Sequence, residues 1–143
     1  MRQIKSLQQS LLILLLFLPV SVLAESELRT LEIDGEAEVD IRVFKADGDK
    51  LLLGFACDEG QSVSEEFTAE SLAEDGVEVW MPDMLGGYML PKTRSSIYSI
   101  PSEGLYRVME EAMETGKKVY LIASGPDTEL VLRVANEWEA KHD

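Results

Sequence analysis

Residues 76–86 read Gly76-Val-Glu-Val-Trp-Met-Pro-Asp-Met-Leu-Gly86, and they decide how the rest of the chain is organised. A short apolar run from Val77 to Met81 is closed by Pro82-Asp83. Its length is that of a strand, and a run apolar at nearly every position suits a strand covered on both faces. Asp75-Gly76 before it is a helix-ending pair, so the strand is entered from a helix. Upstream, Ser62-Val-Ser-Glu65 has capping-box spacing and predicts that helix from Ser62 onward, with Phe67, Leu72 and Ala73 facing inward. Downstream, residues 84–100 are expected to form a loop containing Gly86-Gly87 and Pro91.

The same reading extends both ways. Leu51-Leu-Leu-Gly-Phe-Ala56 is a second short apolar run. Before it, Glu27–Ile33 and Ala37–Phe44 alternate polar and apolar around Asp34-Gly35, which predicts an antiparallel hairpin. After the loop, Leu105, Val108, Met109, Ala112 and Met113 fall on one helical stripe ended by Gly116. Met109 and Met113 read as core filler. Val119–Ala123 is the last strand. Val131, Val134, Ala135 and Trp138 then repeat at helical spacing. The order β-β-β-α-β-α-β-α predicts an α/β domain: a mostly parallel five-stranded sheet with an N-terminal antiparallel hairpin and flanking helices.

Residues 1–24 stand apart from this pattern. Arg2 and Lys5 precede an unbroken apolar run from Leu11 to Leu18, and Val22-Leu23-Ala24 places small residues before a cleavage point. This is the plan of a secretory signal peptide. The stretch is shorter than the roughly 20 residues a membrane span needs, and it contains Pro19. The expectation is therefore an exported chain, periplasmic or secreted, with no transmembrane anchor after cleavage and a domain over residues 25–143. Losing Arg2 and Lys5 takes the formal charge from −14 to −16. So acidic a chain offers no basic patch for a phosphate backbone, which excludes nucleic acid as a partner class. A single Cys and a single His exclude a disulfide framework and a zinc site, and no cofactor or metal is expected.

With these elements placed, the chain resembles the N-terminal half of the α/β-hydrolase fold. Leu51–Phe55 stands where that family has a strand leading to a Gly-containing loop. Gly76–Gly86 resembles its strand ending in Pro-Asp, two residues and Gly. Lys118–Gly125 stands where a strand runs into the nucleophile elbow. The resemblance covers residues 27–143 and about half of the usual domain. It implies an elbow at Ala123, Ser124, Gly125, Pro126 and Asp127.

That elbow is degenerate. Alignment on the strand end puts the apex on Gly125, which has no side chain to attack with. A shift of one residue puts Ser124 at the apex, with the poorly fitting Ile122 and Pro126 as flanks. Ser124 is the one catalytic candidate. His142, the only imidazole, follows a whole helix later, and that distance excludes a triad within the chain. Other candidates read more simply as structure: Asp58-Glu59 as a hydrated loop, Cys57 as a thiol with no activating cation, and Lys92-Thr-Arg94-Ser95-Ser96 as a docked loop with weak anion-binding character. Three functions follow: a partial or catalytically incompetent hydrolase scaffold, a non-catalytic binding or assembly module of the cell envelope, and a weak serine esterase using Ser124. The fifth strand is expected at an open sheet edge, where a second copy or another protein could pair.

Overall fold

The computed structural model describes residues 26–33, 35, 37–55, 62–123 and 125–142. The segment 1–24, Cys57, Asp58, Glu59 and Ser124 therefore lie outside the described residues.

The alternating stretches form the hairpin. Strand β1, Ser26–Glu32, pairs antiparallel with β2, Glu38–Phe44, with Leu31 opposite Val39 and Arg29 opposite Ile41. Strand β3 is Lys50–Gly54, helix α1 is Val63–Glu74 and strand β4 is Val77–Pro82. A single turn, α2, covers Met84–Gly87, and a 3-10 turn covers Arg94–Ser99. Helix α3, Ser102–Glu114, leads to β5, Lys118–Ile122. A second 3-10 turn, Gly125–Asp127, opens α4, Thr128–His142.

The sheet order is β1-β2-β4-β3-β5. β2 runs antiparallel to both β1 and β4, while β3 runs parallel to β4 and to β5. Four strands therefore share one direction, as the sequence implied. From β3 the chain crosses one way to β4, then back past β3 to β5. Crossovers in opposite directions keep a common handedness only when their helices lie on opposite faces. The packing has that form. Ala69 and Ala73 of α1 pack with Phe44, Val79 and Met81 on one face. On the other, Leu105, Val108, Met109 and Ala112 of α3 and Leu130 and Val134 of α4 pack with Ile41, Leu51, Leu53 and Trp80.

Three side chains correct the reading. Phe67 points to solvent, 70% exposed. The side of α1 that meets the sheet is built from the small residues Ala69 and Ala73, which bring the helix close, and Phe67 lies on its back. Met113 is 40% exposed, one turn beyond the buried Met109. On α4 the buried positions are Leu130 and Val134, with Ala135 exposed. Residues 84–100 are also more ordered than a loop. The Asp83 carboxylate accepts from the Gly86 N–H at 2.9 Å and caps α2. Gly87 is held against β2, where a Cβ would lie 2.8 Å from the Glu38 carbonyl oxygen.

Candidate functional site

The carboxyl ends of β3 and β5 meet where the topology changes direction. The helix after β3 lies on one face and the helix after β5 on the other, so a crevice opens between the two strand ends. In open α/β sheets this is the place where ligands bind. Here it holds a cavity of about 270 Å³, lined by Leu52, Gly54 and Phe55 of β3 and its end, Ser64, Glu65, Thr68, Ala69 and Leu72 of α1, Val79 and Met81 of β4, and Ile122, Ala123 and Asp127 around the end of β5.

The expected elbow borders this cavity. Ala123 and Asp127 line it, and Asp127 is buried. Between them Gly125 has φ +60°. That left-handed conformation is strained for a residue with a side chain and free for glycine. A Cβ at Gly125 would meet nothing within 4 Å, so the conformation, not crowding, is what glycine relieves there. The Thr128 hydroxyl donates to the Gly125 carbonyl at 2.9 Å and ties the turn to the first residue of α4.

His142 is not part of this arrangement. It ends the 15-residue α4 that starts at the elbow, and at roughly 1.5 Å per residue about 20 Å separates the two ends. Its ring stacks on Trp138 with centroids 4.0 Å apart, and Nδ1 lies 2.8 Å from the Trp138 carbonyl oxygen. Tyr106 completes the stack against Trp138 at 5.5 Å. Trp138 thus packs helix on helix. Lys92 pairs with Asp83 at 3.2 Å, so the basic stretch docks locally.

Two buried charges escaped the sequence reading. Glu78 on β4 accepts from Trp80 Nε1 at 2.6 Å and from Lys117 Nζ at 2.6 Å. Lys117 also donates to the Ala46 carbonyl at 2.5 Å. On α3, Glu111 pairs with Arg29 and with Arg107, the latter at 3.1 Å, and the Arg29 guanidinium lies 5.4 Å from the Trp80 ring centroid. The alternating strand pattern was the available signal: Glu78 occupies the same face as the buried Trp80. Both networks join elements far from the crevice and serve the scaffold. Among the described residues no group of three His, Cys, Asp or Glu is placed to hold a metal ion, and no helix is long and apolar enough to cross a membrane.

No protein-family profile matches the sequence, and no curated protein matches it either. Solved structures do. The chain is similar to a thioesterase domain from the curacin biosynthetic pathway, with 18% identity, a TM-score of 0.58, and 80% of this chain against 43% of that one. It is similar to an epoxide hydrolase from Vigna radiata, with 19% identity, a TM-score of 0.58, and 78% of this chain against 36% of that one. A protein of Agrobacterium vitis S4 assigned as a hydrolase matches with 17% identity, a TM-score of 0.57, and 83% against 47%. The chain spans less than half the length of each of these neighbours. Their likeness, with the hairpin, the parallel strands and the crossovers of the sheet, gives the fold: the chain adopts part of the α/β-hydrolase fold.

Proposed function

We propose that the protein is an exported, hydrolase-like scaffold that does not turn over esters by itself. The observation that carries this reading is Gly125. Among the described residues of the strand-to-helix turn it is the one with a positive φ, +60°, the left-handed backbone of a sharp turn like that on which a hydrolase presents its nucleophile, and it carries no side chain. His142, stacked on Trp138 at the other end of α4, adds support because a general base must come within about 3 Å of the proton it removes. Export, to the periplasm or outside the cell, rests on the charged, apolar and small-residue plan of residues 1–24. A short-chain nitrophenyl ester assay on the wild type and Ser124→Ala tests the reading. The expected rate for both is that of buffer. Turnover that disappears with Ser124→Ala would establish the weak esterase instead.

A second reading, a binding or assembly module of the cell envelope, is favoured by the outer strand. Among the described residues β5 pairs only with β3, and Tyr120 and Ile122 are about half exposed on it. An unpaired edge with apolar side chains beside it invites a further strand, from a second copy or from another protein. Met89 and Tyr98 in residues 84–100 add exposed apolar contacts. Lys117 does not guard this edge, because it is spent on Glu78 and Ala46. Sedimentation tests the self-association form: a dimer that a proline in β5 dissolves supports it, and a strict monomer at high micromolar concentration removes it.

A further inference from the structure

The short helix after β4 ends on a methionine where a glycine would sit with less strain. Its exit is a Schellman motif: the Met89 N–H donates to the Gly86 carbonyl at 3.0 Å and the Leu90 N–H to the Leu85 carbonyl at 2.8 Å. Pro91 follows and bars further helix. The motif needs one left-handed residue between helix and exit, and that residue is Met89, with φ +51°. Among the described residues no other with a side chain has a positive φ. A Cβ crowds the backbone in that conformation, which is why glycine usually takes the place. The same turn sends its neighbours inward. Leu85 is fully buried, and Leu90 packs against the core that holds it. Met89 is left facing outward and is 89% exposed. Backbone hydrogen bonds on both sides of it thus fix the presentation of its thioether.

The other described methionines are placed differently. Met81, Met84 and Met109 are buried, and Met113 is 40% exposed. Oxidation of a thioether follows its access to the oxidant. We propose that Met89 is a surface oxidation site, converted by a hydroperoxide to the sulfoxide ahead of every other described methionine, and that the fold carries the product unchanged. In the reaction a sulfur lone pair attacks one oxygen of hydrogen peroxide. An S–O bond forms, the O–O bond breaks, and the second oxygen leaves with both protons as water. Sulfur gives up two electrons and the peroxide takes them. The product is polar where the thioether was apolar. At Met84 or Met109 that change would put a polar group into the core and cost stability. At Met89 the new oxygen points into water. The modification therefore turns an exposed apolar contact of the 84–100 segment into a polar one without touching the packing, and methionine sulfoxide reductases can reverse it.

A time course of the folded chain in millimolar hydrogen peroxide, read by peptide mass mapping, tests the proposal. Met89 sulfoxide should appear at least about twofold faster than Met113 sulfoxide and about tenfold or more faster than sulfoxide at Met81, Met84 or Met109. In concentrated urea the five rates should converge, because the fold makes the difference. The singly oxidised chain should keep the urea midpoint of the reduced one. Met89→Gly should raise that midpoint, since glycine adopts the left-handed turn freely. The proposal is overturned if Met113 or a buried methionine reacts as fast as Met89, or if the ranking persists in urea, which would make it a property of local sequence. A midpoint that falls on oxidation of Met89, or on Met89→Gly, would overturn the claim that this side chain stands clear of the fold under backbone strain. None of these outcomes depends on ester turnover or on a partner at β5.

Discussion

Single residues decide most of what this chain can do, and neighbours in sequence can carry unlike roles. Lys117 reaches under the sheet to the buried Glu78, while Lys118 makes an exposed pair with Asp49 at 2.8 Å. Replacing Lys117 with Met strands a largely buried carboxylate. It should cost about 2 kcal/mol, read as a lower midpoint in urea unfolding. Lys118→Met should leave that midpoint where it is, since exposed pairs contribute little. Its mark is on titration. The hydrogen bond and charge of Lys118 hold the Asp49 carboxyl below the usual carboxylate range, and Asp49 in turn raises Lys118. A lowered acid pKa adds stability that is present above its unfolded value and lost as pH falls through the folded one. A raised lysine pKa adds stability present below its unfolded value and lost as pH rises through the folded one. The tie therefore holds from about pH 4 to about pH 10. Carboxyl NMR should show Asp49 titrating higher in Lys118→Met than in the wild type. Identical curves would mean that the pair does not form in solution.

Elements show how far the amino-acid pattern could be read. Removing the Ser62 cap of α1 should cost about 1 kcal/mol, because its hydroxyl accepts from the Glu65 N–H while Glu65 returns the bond. Thermal melts of Ser62→Ala check this, and an unchanged midpoint would show the cap to be idle. That cap was legible because the box is written in four residues. So were the strands, whose alternation and apolar runs are local signals, and the stripe of α3. The inner face of α1 was legible only in part: Ala73 and Leu72 face the sheet as expected, but Ala69 was missed and Phe67 stands outward. A pattern reading follows the large apolar groups, and here they mislead. The insertion of β4 between β2 and β3 was not legible either, since strand order depends on crossovers and leaves no local mark. At the elbow the sequence left two apices open, Gly125 and Ser124; the backbone gives Gly125 a φ of +60°, and Ser124 lies outside the described residues. Glu78 and Lys117 lie 39 residues apart, beyond any local signal.

On the scale of the whole molecule, charge and topology set the expectations. With 27 acidic against 13 basic residues, the folded chain repels itself. Sodium chloride raised to about 0.5 M should therefore raise the melting midpoint by screening that repulsion. A falling midpoint would mean that the ion pairs of Glu78 and Glu111 outweigh it. The sheet keeps the architecture in which hydrolases place a reactive serine, and among the described residues of the corresponding turn the one with a left-handed backbone is a glycine. The most direct test of the central claim is the intact mass of the folded protein after incubation with a fluorophosphonate, which attaches covalently to an activated serine. We predict an unchanged mass. A stoichiometric adduct mapped to Ser124 would contradict the account.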